Sequence, residues 1–173
     1  MKVRVANSRF LNGLGVFTTK DLNKCEVIAK LEYVREVTKE QPLAENEKYE
    51  HQTYLPDGRI FLVAEPMRYT NHSCSPNSYL YSVEEQYFII AKHQIAEGTE
   101  ITIDYELNAV DGDTWECLCR SDKCRGLHKW DYFSLPVSVI LDNLPYLDTW
   151  FEKEHQKRIR RNLEKNLNAG TAE

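Results

Sequence analysis

The sequence has no apolar run near the roughly 18 residues that a membrane-spanning helix needs. Residues 1–9 alternate polar with apolar side chains instead of building the apolar stretch of a secretory signal. These absences point to an intracellular product without a membrane anchor, and leave cytoplasm and nucleus equally open. Positive charge is also scarce: 22 Lys and Arg stand against 27 Asp and Glu, a net charge of −5. That argues against direct nucleic-acid binding, which usually relies on a strongly basic face. Internal repeats and low-complexity linkers are lacking. Five cysteines, an odd number with no secretory signal, speak against a disulfide framework. What remains is a chain of 173 residues, 42% hydrophobic and 28% charged, enough for one folded domain with a terminal extension.

Charge is unevenly placed. Between His93 and Cys119 there are seven acidic residues and no Lys or Arg, whereas Glu152 to Lys165 carries six basic residues against three acids. Most such runs are solvated faces; the acidic one would also draw a cationic partner. Short segments rich in Val, Ile, Phe, Tyr and Thr predict strands over Gly15–Thr19, Glu26–Val37, Arg59–Val63, Ser78–Ser82, Gln86–Lys92 and Glu100–Tyr105. Turn signals fall at Asn12-Gly13, Pro56-Asp-Gly58, Ser75-Pro-Asn77 and Glu97-Gly98. Thr38–Lys48 is polar and reads as a loop or short helix. Phe151, His155, Ile159, Leu163 and Leu167 recur every four residues, which predicts a C-terminal amphipathic helix with a frayed end over Asn168–Glu173.

Cys117-Leu-Cys119 followed by Cys124 places three soft ligands in one tight loop. Zinc takes four, so Cys74, His72 or His128 would complete a closed and therefore structural site. A short polar loop has little core of its own, and metal binding there would be folding energy.

Three further strings stand in order upstream: Asn12-Gly-Leu-Gly-Val-Phe17, Arg68-Tyr-Thr-Asn-His-Ser-Cys-Ser-Pro-Asn77 and Glu100-Ile-Thr-Ile-Asp-Tyr105. With the Cys-x-Cys-x4-Cys-Arg-Gly126 that follows, they resemble the SET-domain protein-lysine methyltransferases over about Val3 to Gly126, with a post-SET cysteine cluster at the end. The resemblance implies a mainly β fold, the SET-domain β-clip with a knot-like core, here with a C-terminal helical extension. It divides the chain into a SET domain (1–110), a post-SET zinc segment (111–130) and the extension (131–173).

It also implies roles. Gly13, Leu14 and Gly15 would lay backbone against S-adenosylmethionine, Asn71 and His72 would hold the ends of that cofactor, and Arg68 would line the same pocket. Tyr105 would be the catalytic tyrosine. Tyr33, Ile103 and Trp130 would border the substrate channel together with Tyr49 or Tyr54, between which the residues do not choose. Arg35 stands where the family shows Gly, which weakens Tyr33. Cys74, Cys117, Cys119 and Cys124 would be the four zinc thiolates, leaving Cys25 as a core residue. The implied reaction is methyl transfer from S-adenosylmethionine to the ε-amine of lysine in a protein or peptide, a histone tail being the best-known target of such domains. Ile103, two residues before Tyr105 and without a hydroxyl, favours addition of more than one methyl group. Rival readings are an inactive zinc-stabilised peptide-binding module on the same scaffold, and an interaction protein whose C-terminal helix recruits a partner.

Overall fold

The computed structural model describes residues 2–8, 13–110 and 112–169, with side chains to residue 165. Among the described residues twelve short strands build four small sheets. Strands β1 (Val3–Asn7) and β2 (Leu14–Thr18) pair antiparallel, Val3 opposite Thr18. The apolar run expected as one strand over Glu26–Val37 divides into β3 (Val27–Lys30) and β4 (Tyr33–Glu36). Each makes an irregular pairing, between Val27 and Ala29 and between Tyr33 and Arg35, and such bulges bend a strand. The chain thereby passes from one sheet to another. Strands β5 (Gln52–Tyr54) and β6 (Ile60–Val63) complete the sheet ordered β4-β6-β5.

The polar stretch before β5 is irregular, and Arg35 pins it. Its guanidinium donates to the Gln41 and Pro42 carbonyls at 2.9 and 3.0 Å and pairs with Glu47. The Arg35 side chain thus fastens the following loop.

Strand β7 (Asn71–His72) runs parallel to β10 (Glu100–Ile103), while the chain between them leaves as a hairpin of β8 (Ser78–Val83) and β9 (Gln86–Ala91). Strand β10 lies inside the sheet ordered β1-β2-β10-β7. The Asn77 side chain clamps it, donating to the Glu100 carbonyl at 2.7 Å and accepting from the Thr102 N–H at 3.0 Å. Ser73 N–H donates to the Ile103 carbonyl at 2.9 Å. The segment through Asn71-His-Ser and the segment through Asp104-Tyr105 are therefore laid side by side. Beneath them Val16 and Ile101 are wholly buried, each contributing about 1.5–3 kcal/mol by leaving water.

Strands β11 (Thr114–Glu116) and β12 (Leu127–Lys129) bracket the cysteine loop as a two-stranded ribbon. Then come α1 (Val137–Asn143) and α2 (Thr149–Ala169), the latter the helix expected from the four-residue repeat. Phe151 and Ile159 bury into a second core with Leu107, Tyr132, Leu135, Ile140 and Leu147. Leu107 joins that core from the end of the SET-like segment, so the extension is built onto it directly. Asn12, Asp111, residues 170–173 and the Leu167 side chain lie outside the described residues.

Candidate active site

The parallel pair β7–β10 brings Asn71 and His72 next to the approach to Tyr105. The Tyr105 hydroxyl donates to the Thr70 carbonyl at 2.6 Å, and its backbone N–H donates to His72 Nδ1 at 3.2 Å. Burial pushes the Tyr105 phenol pKa upward, and the Glu50 and Glu100 carboxylates add in the same sense. It is therefore a neutral hydrogen-bonding group at any working pH. Aromatic rings surround it: His72 at 5.4 Å between centroids, Trp130 at 5.7 Å and Trp115 at 6.3 Å, with Tyr49 6.2 Å beyond Trp130. Such faces suit a cation.

Neighbouring residues of this segment line two separate cavities. One, of about 560 Å³, is lined by Tyr49, Tyr54, Arg68, Ile103, Tyr105 and Trp130 among others. The other, about 470 Å³ and more polar, is lined by Ser8, Asn71, His72, Asn77, Glu100 and the Arg120–Lys123 loop among others. Both volumes lie in the range of small-molecule sites. The residues expected to hold one cofactor are thus divided: Arg68 faces the first cavity, with its Nε donating to the Val63 carbonyl at 3.0 Å, and Asn71 and His72 face the second. Tyr49 and Tyr54 both reach the first cavity, their hydroxyls 2.7 Å apart. Tyr33 lines neither; it packs on Phe61 with ring centroids 5.1 Å apart.

The glycine motif divides as well. A Cβ on Gly13 would meet nothing within 4 Å, whereas one on Gly15 would fall 2.3 Å from Glu100 Oε1 and 3.2 Å from Asn71 Nδ2. Gly15 thus makes room for the protein's own side chains. Asn71 Nδ2 donates to the Leu14 carbonyl at 2.9 Å and to Glu100 Oε1 at 2.7 Å, across that gap. Gly15→Ala is expected to destabilise the fold by about 1–3 kcal/mol, as overpacking does, and Gly13→Ala to leave it within about 0.5 kcal/mol. Urea denaturation of the two variants checks this, and equal costs would refute it.

Glu100, Asp104 and Glu106 are buried, not part of a solvated acidic face as the run of like charge suggested. Arg125 from the cysteine loop reaches both Asp104 oxygens at 2.9 Å and pairs with Glu106, so cations from the next segment compensate the carboxylates. His128 Nδ1 lies 2.6 Å from Glu106 Oε2 and its Nε2 3.2 Å from Cys74 Sγ. Sequence reading counted Asp104 and Glu106 only as charges, because nothing in their spacing announces partners some twenty residues ahead.

The sulfurs of Cys74, Cys117 and Cys119 and His72 Nε2 all lie within 4.8 Å of one another. Cys74 and Cys117 sulfurs are 3.8 Å apart, the separation of two thiolates each about 2.3 Å from one tetrahedral ion. This donor set fits zinc. Cys124, expected as the fourth thiolate, is exposed and outside the group, its sulfur 3.8 Å from the Cys117 carbonyl. His72 takes the fourth place in this geometry. Yet its Nδ1 accepts from the Tyr105 N–H, which puts the proton of the neutral ring on Nε2, toward Cys74 Sγ at 3.4 Å.

The sequence profile of the SET domain matches residues 13–106, more than half of the chain. The chain belongs to the SET domain family. Human histone-lysine N-methyltransferase 2D is 31% identical over 145 residues, which cover 74% of this SET protein and 2% of the human one. The Caenorhabditis briggsae probable histone-lysine N-methyltransferase set-23 is 41% identical over 79 residues, covering 42% of this chain and 31% of that protein. This SET chain therefore spans less than a third of either relative. A solved Plasmodium falciparum structure superposes with a TM-score of 0.48 at 27% identity, covering 60% of this chain and 96% of the other.

Proposed function

We propose that this SET domain is a protein-lysine methyltransferase using S-adenosylmethionine, with a structural zinc site in residues 111–130 joined by Cys74. The observation that carries the reading is the position of Tyr105, which lines the aromatic cavity while its N–H is bonded to His72, in the lining of the polar one. When bound, the cofactor supplies an electrophilic methyl group on a sulfonium. Asn71 and the backbone of His72 and of Gly13–Gly15 would hold it from the polar side, where Ser8, Asn77 and Glu100 offer polar groups to its amino-acid and ribose parts. The target lysine would enter from the aromatic side, past Tyr54, Ile103 and Trp130.

Transfer of a methyl group between two aligned atoms mainly requires positioning. The amine must first lose a proton, from an ordinary pKa near 10.4. Loss of water around the amine in the cavity and the neighbouring positive charge of the cofactor both favour its neutral form. Tyr105, kept neutral, orients the amine and is not its base. Glu50 and Asp113 at the cavity edge would suit the basic residues of a histone-like segment, the substrate class in the relatives' names.

Incubation with labelled S-adenosylmethionine and a panel of basic proteins tests the reading. Incorporation into lysine is expected. A folded, cofactor-binding protein that labels none of the panel would support a peptide-binding module instead. Ile103 lines the aromatic cavity and carries no hydroxyl, so long incubations should give dimethyl-lysine or higher by mass spectrometry. Product that stops at monomethyl-lysine would contradict that assignment.

A further inference from the structure

The C-terminal extension does more than bury a second core. Tyr146, Trp150 and His155 line the same cavity as Tyr105, so its outer wall comes from beyond the segment that the SET profile covers. This wall is fixed by buried polar bonds. Asp148, wholly buried, accepts from Ser82 Oγ at 2.7 Å and caps α2 by accepting from the Trp150 N–H at 3.2 Å. Asp148 N–H reaches Asn108 Oδ1 at 3.4 Å. The Trp150 indole N–H then donates to the Tyr87 hydroxyl at 2.9 Å, linking α2 to the central hairpin. An aspartate, a serine and an indole are thus spent on fixing where one tryptophan stands, and that tryptophan borders a cavity.

We infer that α2 forms a specificity wall, on which Trp150 and His155 receive an apolar side chain flanking the target lysine. This rests on the methyltransferase reading of the site. The surfaces in this part of the cavity are Tyr79, Leu80, Tyr146 and Trp150, with no carboxylate from the extension. A flanking leucine would remove apolar surface from water there, and a flanking aspartate would exchange full hydration for at most the Tyr79 and Tyr146 hydroxyls and the His155 ring. Phe151 and Ile159 are buried in the second core, Trp150 packs against it and the His155 ring lies 4.6 Å from that of Phe151, so the melting temperature of each variant is read beside its recognition.

The test uses the full chain and two fluorescent lysine peptides that differ only in a flanking leucine or aspartate, read by anisotropy and by turnover. The wild type is expected to prefer the leucine peptide about tenfold in Kd and in kcat/KM, the scale on which apolar pockets discriminate. His155→Ala and Trp150→Phe should reduce that preference to about twofold, while kcat on saturating peptide and affinity for S-adenosylmethionine stay within about twofold. Trp150→Phe keeps a ring against the core if a smaller residue fails to fold. Equal binding of both peptides by the wild type, or an unchanged preference in both variants, overturns the inference. Selective binding without turnover leaves it standing and overturns the enzymatic reading alone.

Discussion

Tyr105→Phe is expected to slow methyl transfer to a lysine peptide by about 10²–10³-fold, the usual cost of removing one oriented hydrogen-bonding group from a reaction centre. The phenol is raised in pKa by burial and by the Glu50 and Glu100 charges, so the lost group is a neutral dipole and not a base. The pH profile of the residual activity should accordingly keep the shape of the wild type. Some stability is lost as well. Without the hydroxyl the Thr70 carbonyl has lost its 2.6 Å partner, and a buried acceptor left so costs about 1–3 kcal/mol. Calorimetric titration with S-adenosylmethionine should give a Kd within about threefold of wild type, because Asn71 and the glycine segment are untouched. Wild-type kcat in the variant would remove Tyr105 from the reaction.

The strands with alternating or β-rich composition were legible in the sequence, and so was α2, because side-chain periodicity is a local property. The division of Glu26–Val37 into β3 and β4 was not. It depends on which distant strands, β9 and β6, each half meets. That Asn71, His72 and Tyr105 come together was legible through their motifs, whereas the reason for Gly15 was not: the atoms that exclude a Cβ belong to Glu100 and Asn71, far along the chain. Only long-range pairing could reveal that Asp104 and Glu106 are interior groups held by Arg125 and His128. Trp150 carried no signal either. In sequence it is one aromatic beside another, and only the bonds of Asp148 separate its role from that of Phe151.

Removing the metal, or replacing Cys117 by Ser, should have the largest effect on stability of any change considered. The cysteine cluster has only Trp115 packed against it as a partly buried apolar neighbour, so the loop cannot hold itself by burial. Apparent binding free energies for structural zinc are about 10–16 kcal/mol near neutral pH, and most of that would be withdrawn from the segment between β11 and β12. Elemental analysis should find one zinc per chain. Chelation should lower the melting temperature by more than about 10 °C and disorder the Trp115 and Trp130 environments, seen as a red shift in tryptophan fluorescence. Cys25 is exposed and not the core residue expected, so Cys25→Ser should retain both zinc and stability. Cys124→Ser and His72→Ala then decide the fourth ligand: the cobalt-substituted spectrum of the true ligand's variant changes, and that of the other does not. Acid should act in the same direction as chelation. Burial raises the Cys74 thiol to about 12 and raises Cys117 too, so both are protonated at neutral pH without metal and must release their protons to bind it. Zinc affinity, and with it stability, therefore falls as the pH is lowered. A chain that melts at the same temperature with and without chelator, and at pH 6 and pH 8 alike, would exclude a metal from this cluster.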